Sequence, residues 1–312
     1  MVRLPPAEKL PLALRKNVRD EWDSVKEDLT SQLTQVLGEE WTIDITPAAI
    51  WPYHDDGYAK ESLGSCIKAY VEGAIYQLKY LTEKYDGLAQ EINDIAHAHV
   101  LTLDVDEADP PPFSYCRTDV NDGQLRMLFV ETNLGVNISD TMTEAKLFAG
   151  LNQAPNEQPL SFLARFSVKT EYEPKVAEAR HSLAELLGKA DDEVTLTPNF
   201  EDTFAQLAAA KAVKGSSIRD DWETVLGMYT IKYFEGLAYQ MKYQKVGEDE
   251  MVQEGFNEAV PTAEFQFRIV DKLKFQSYCE VEIEDEKLYV QTEAEKWGYN
   301  VDDAAAKLMD LL

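Results

Sequence analysis

The 312-residue chain carries 57 acidic against 30 basic side chains, a formal net charge of −27 spread evenly over both halves. Such a field opposes nucleic acid and anionic lipid and favours cationic partners. Hydrophobic residues at 45% and aromatics at 10% fit a globular chain with room for two domains. Three cysteines exclude a disulfide framework, and the lack of an apolar leader or spanning run predicts a soluble, cytoplasmic protein with no membrane partner.

After a proline-containing start, Trp22, Val25, Leu29, Leu33 and Leu37 recur at helical spacing and Gly38 ends the run. Residues 41–46 alternate as a first strand closed by Pro47. His54, Asp55 and Asp56 follow in a loop, where the carboxylates are expected to cap the next helix. That helix is predicted over 58–85, broken at Asp86-Gly87 and followed by a shorter one over 88–96.

His97 and His99 at its end are spaced so that both imidazoles face one site on extended chain. No third ligand stands near and the second half has Pro261 and Ala263 there, so no metal is expected. Strands are predicted over 100–105, 113–120 and 124–131, with Leu101, Leu103 and Val105 inward, Cys116 a small core residue and Asn121-Asp122-Gly123 a tight hairpin turn. Gly135 and Asn137 precede a last helix from Ser139.

Beyond the linker, residues 152–160, a strand without a counterpart is predicted over 161–172, and then the pattern repeats. Tyr70 to Tyr80 reads YVEGAIYQLKY and Tyr233 to Tyr243 reads YFEGLAYQMKY, 163 residues further on. The same register sets Leu63-Gly64 on Leu226-Gly227, Ser114-Tyr115-Cys116 on Ser277-Tyr278-Cys279, Gly135 and Asn137 on Gly298 and Asn300, and Asp140 on Asp303. The chain therefore reads as an internal duplication, with 1–151 the first repeat and 161–312 the second. Each copy is an α-β-α-α-β-β-β-α unit, so the expected fold is α+β, with helices on mostly antiparallel sheets and a pseudo-two-fold between halves. About a dozen extra residues of helical composition precede the long helix of the second copy.

On that long helix, positions 71, 74, 75 and 78 are apolar in both copies but traded in volume, as core neighbours are. The other face recurs unchanged: Tyr70, Glu72, Gly73, Tyr76, Gln77, Lys79 and Tyr80 return as Tyr233, Glu235, Gly236, Tyr239, Gln240, Lys242 and Tyr243. One reading is a packing seam between the halves, with the glycines allowing close approach. The other is a ligand site between them, built from Tyr70, Glu72, Tyr76, Gln77, Tyr80, Tyr233, Glu235, Tyr239, Gln240 and Tyr243.

No phosphate loop, nucleophile elbow, paired CxxC or HExxH occurs, so no cofactor is expected and catalytic residues stay unassigned. The expected function is a binding or assembly protein acting on a protein or small molecule, as a monomer or weak homo-oligomer. The alternative is a cofactor-free small-molecule enzyme or carrier with a tyrosine-lined site.

Overall fold

The computed structural model describes residues 3–312, which divide after Glu157 into two units of like construction. In the first, α1 (Leu12–Asn17) runs on as a π-helical turn (Val18–Asp23) before α2 (Lys26–Leu37), which stops where Gly38 turns left-handed at φ 78°. β1 (Thr42–Asp44), α3 (Pro47–Ile50) and α4 (Tyr58–Glu61) lead to the long α5 (Leu63–Lys84), then α6 (Leu88–Ile95). β2 (Val100–Val105), β3 (Cys116–Asn121), β4 (Gln124–Phe129) and α7 (Glu144–Gln153) complete the unit.

The second unit repeats this course. α8 (Phe162–Ser167) with its π-helical turn (Val168–Tyr172), α9 (Glu173–Leu187) and β5 (Thr195–Thr197) come first. α10 (Phe200–Lys211), α11 (Leu226–Tyr243) and α12 (Glu250–Ala259) follow, then β6 (Glu264–Ile269), β7 (Cys279–Glu284) and β8 (Lys287–Thr292). The extra residues of this copy are α10, helical as expected.

Residues 161–172 are not a strand. Ser161 caps a helix by accepting from the Ala164 N–H at 3.3 Å, and the Phe162 and Phe166 rings meet one turn apart at 5.6 Å, so spacing four outcompetes the alternation of polar and apolar residues. This helix is the counterpart of α1, with Ser167 standing to Gly227 as Asn17 stands to Gly64. The Gly64 N–H donates to Asn17 Oδ1 at 2.7 Å and the Gly227 N–H to Ser167 Oγ at 3.0 Å. Each long helix thereby begins against the backbone of the first helix of its unit. A Cβ on Gly64 would lie 2.5 Å from the Asn17 carbonyl oxygen, and one on Gly227 closer still to that of Ser167.

The sheets overturn the antiparallel expectation. Their orders are β1-β2-β4-β3 and β5-β6-β8-β7, in which only the hairpins β3/β4 and β7/β8 are antiparallel; β1 with β2, β2 with β4, and their counterparts run parallel. The sheets are therefore mixed and mostly parallel. The reason lies in the segment 106–115, long enough to carry β3 past the place beside β2 that β4 then fills; a short turn there would have forced a meander. The inward faces are as expected, with Leu101, Leu103, Val105 and Phe265, Phe267, Ile269 buried. The first hairpin turns through Asp122 and Gly123 at φ 49° and 71°, and the second holds Asp285 and Glu286 in the same left-handed region without glycine.

Opposite charges hold the two long connections. Arg117 on β3 reaches back to the buried Asp106 with bonds of 2.7 and 2.9 Å. At the same register on β7 stands Glu280, 1% exposed, which accepts from the backbone N–H groups of Lys274, Phe275 and Gln276 and from the Gln291 amide. Burial raises the Glu280 carboxyl, but these donors outweigh it and hold the group below the ordinary carboxylate range.

Gly64→Ala and Gly227→Ala should each cost about 1–3 kcal/mol in urea unfolding, whereas Gly255→Ala, on α12 with open space around an added Cβ, should gain about 1 kcal/mol. Because the folded carboxyl of Glu280 is depressed, its stabilisation is present above the unfolded carboxylate pKa and is lost as pH falls through the folded one. Glu280→Gln should therefore lower stability by about 2 kcal/mol at neutral pH, and the gap to the parent protein should narrow in urea titrations as pH falls below the unfolded carboxylate pKa of about 4.3.

Candidate functional site

The repeated face of α5 and α11 divides into an inner half with a structural task and an outer half without one. Tyr70 and Tyr233 are fully buried, and each hydroxyl accepts the backbone N–H of the glycine in the turn after the last strand, Gly135 or Gly298, at 3.0 Å. Both glycines need positive φ, 89° and 82°, and Asn137 and Asn300 two residues on are left-handed as well.

The chain then lies directly on the helix. A Cβ on Gly73 would meet Ser139 Cα at 3.1 Å, and one on Gly236 would meet the Val301 oxygen at 2.7 Å. The Gln77 amide donates to the Ser139 carbonyl at 3.4 Å and that of Gln240 to the Asp302 carbonyl at 2.7 Å. From the strand side, Cys116 and Cys279 thiols donate to the carbonyls of Asn137 and Asn300. The close approach that Gly73 and Gly236 permit is thus made inside each unit, by its own turn.

These inner groups are chemically quiet. Burial pushes the Tyr70 and Tyr233 hydroxyls well above the usual phenol range. It raises the thiols of Cys66 and Cys279 to about 12, so neither offers a thiolate at neutral pH.

The outer half is open. Tyr76, Tyr80, Tyr239 and Tyr243 are 70%, 53%, 62% and 75% exposed, two turns of rings on each helix. Glu72 lies 3.9 Å from Lys68 on its own helix, while Glu235 borders a groove. That groove, about 530 Å³, lies within the second unit, where the stripe Glu235, Ala238, Tyr239 and Lys242 of α11 runs beside Glu178, Ala179, Ser182 and Leu186 of α9. Its presence was not anticipated from sequence. The signal was there in Ala179 and Ala238, which occupy the places of Leu29 and Ile75 in the first copy, but α9 and α2 align 150 residues apart, outside the register of the repeat.

The loop candidates are spoken for. Asp56 pairs with Lys60 and Asp55 accepts the Asp56 N–H at 2.7 Å, so the expected capping bond is not made: neither α4 nor α5 has a side-chain cap. His54 stacks on Trp51 and His99, left-handed at φ 50°, on Trp41. His97 lies over Gly123 in the hairpin turn. Among the described residues, no three His, Cys, Asp or Glu side chains gather where they could hold a metal ion, and no helix is long and apolar enough to cross a membrane.

Tyr70→Phe and Tyr233→Phe should each cost about 1–3 kcal/mol, because a buried backbone N–H loses its acceptor. Tyr76→Ala and Tyr239→Ala should stay within about 0.5 kcal/mol of the parent, as exposed positions do; urea unfolding of the four variants separates the two halves of the face. All three cysteines are buried, so none should react with a thiol reagent at pH 8 until denaturant is added. Comparisons with protein-family models, with curated proteins and with solved structures give no match.

Proposed function

We propose that the chain is a binding protein, without catalytic machinery of its own, that engages a protein partner through the outer tyrosines of α5 and α11. The observation that supports this is the fate of the repeated face. Folding of each unit accounts for Tyr70, Gly73 and Gln77 and their twins, but makes no use of Tyr76, Tyr80, Tyr239 and Tyr243, which recur all the same. Large amphipathic rings held on a rigid helix give contact area at little entropic cost and are enriched where binding energy concentrates. A chain of net charge −27 selects partners with a basic face and repels nucleic acid and anionic membranes.

The second reading, a carrier of a small molecule, draws on the groove beside Tyr239, whose volume falls in the range of about 300–1,000 Å³ usual for ligand pockets. Native mass spectrometry of protein purified from its own source distinguishes the two, since a stoichiometric small ligand supports the carrier.

The direct test compares the parent protein with the variant carrying Tyr76→Ala, Tyr80→Ala, Tyr239→Ala and Tyr243→Ala as affinity baits. Partner recovery should fall at least about tenfold with the variant, at unchanged thermal stability. Equal recovery on both baits overturns the proposal.

A further inference from the structure

The groove of the second unit lies where the two copies differ in side-chain volume. α2 and α9 correspond at Leu33 and Leu183 and at their glycine stops, Gly38 and Gly188. One turn earlier, the first unit has Leu29 and the second Ala179; on the long helices, Ile75 is replaced by Ala238. All four are buried by their surroundings, 4%, 4%, 6% and 8% exposed. Two branched side chains of the seam between the helices have thus become methyl groups. The floor of the groove is Ala179, Ala238 and Ser182, with Leu186 beyond.

Its rim is acidic overall, with the excess on α9 and the closing loop. Glu178 and Glu185 stand on α9, Glu235 on α11 and Glu248 on the loop that closes one end, against Lys242 as the one cation in the lining. Glu185 lies 3.5 Å from His181; Glu178, Glu235 and Glu248 have no ion-pair partner among the described residues. Glu178 and Glu185 are two turns apart, about 10 Å along the helix. Tyr239 borders the groove and is 62% exposed, and aromatic faces beside carboxylates attract ammonium and guanidinium groups.

We propose that this groove takes a basic helical segment of a protein partner, laid along α9 and α11, with small apolar side chains over the alanine floor and lysine or arginine side chains, two turns apart, reaching the rim carboxylates. It rests on the reading of the chain as a protein-binding protein and specifies that partner's chemistry. Seating an amphipathic helix between two helices is an established mode of recognition. Charge complementarity chooses the occupant: four carboxylates around one ammonium exclude an acidic segment, and the net charge of −27 opposes a second copy of this chain.

The test uses the full chain and a fluorescein-labelled helical peptide of about 18 residues, with lysines on one face and alanine and leucine on the other, read by fluorescence anisotropy at physiological salt. The peptide is expected to bind. Glu178→Gln, Glu235→Gln and Glu248→Gln together should weaken it at least about tenfold, while Glu8→Gln, Glu39→Gln and Glu40→Gln, which remove the same charge from the first unit, should change it less than about twofold. Ala179→Leu with Ala238→Ile, which restores the side chains of the first copy without altering charge, should also abolish binding.

Equal weakening by the two Glu→Gln triples means attraction by the overall field alone and overturns the proposal, as does full binding by the filled variant. If the filled variant does not fold, the comparison of the two triples decides. Spermine binding that depends on the groove while the peptide fails to bind would make the site one for small amines and overturn the helical occupant. Peptide failure together with tyrosine-dependent partner capture would leave the broader binding role standing and remove this inference alone.

Discussion

Each unit depends on one hydrogen bond, from a turn glycine to a buried tyrosine hydroxyl. It joins the long helix to the turn that ends the sheet, and the residues around it follow from it. Glycine at Gly135 and Gly298 supplies positive φ, glycine at Gly73 and Gly236 lets the chain lie on the helix, and Gln77 and Gln240 take up a carbonyl of the segment that does so. The strand enters through the thiols of Cys116 and Cys279. A phenol fits this post because it buries a large ring and still presents one acceptor at its tip. Phenylalanine would fill the space and leave the amide unanswered.

Much of this was legible in the sequence, although not its meaning. The repeated residues Tyr70, Gly73, Gln77, Cys116, Gly135 and Asn137 could be found by register alone, and the structure gathers them into one connected group. Strand faces and the Asp122-Gly123 turn were legible because they are set by neighbours in sequence. Sheet order was not, because the choice between a meander and an inserted β4 is made by a long connection whose anchors, Asp106 to Arg117 and Glu280 to backbone, pair residues with no local pattern. The helix at Phe162–Ser167 was hidden by an alternation that a helix also tolerates, and its twin stood at 150 residues rather than 163. The outer tyrosines were found with the rest of the face, but only burial separates them from Tyr70 and Tyr233.

The two copies also show which parts of such a unit are free to change. Arg117 and Glu280 do the same work with opposite charge, one on a carboxylate and the other on peptide N–H groups. Leu29 and Ile75 against Ala179 and Ala238 show that the seam of α2 with α5, and of α9 with α11, tolerates a change in volume without loss of the long helix. The connections, the helix seam, the seat of the long helix and the apolar core positions therefore vary between the units, while the tyrosine, the glycines and the glutamine are the same in both.

The span of the lock has a consequence for synthesis on the ribosome. In both units the tyrosine precedes its glycine by 65 residues. During translation α5 is therefore made well before its turn, yet Gly135 has been added before Tyr233 exists. The first unit can close on the nascent chain while only one long helix and one turn are present, so vectorial synthesis sorts two nearly interchangeable locks in time. A full-length chain diluted from denaturant meets both helices and both turns at once. Its two halves then have to be told apart by what differs between them, the Asn17 or Ser167 seat and the alanines of the second seam.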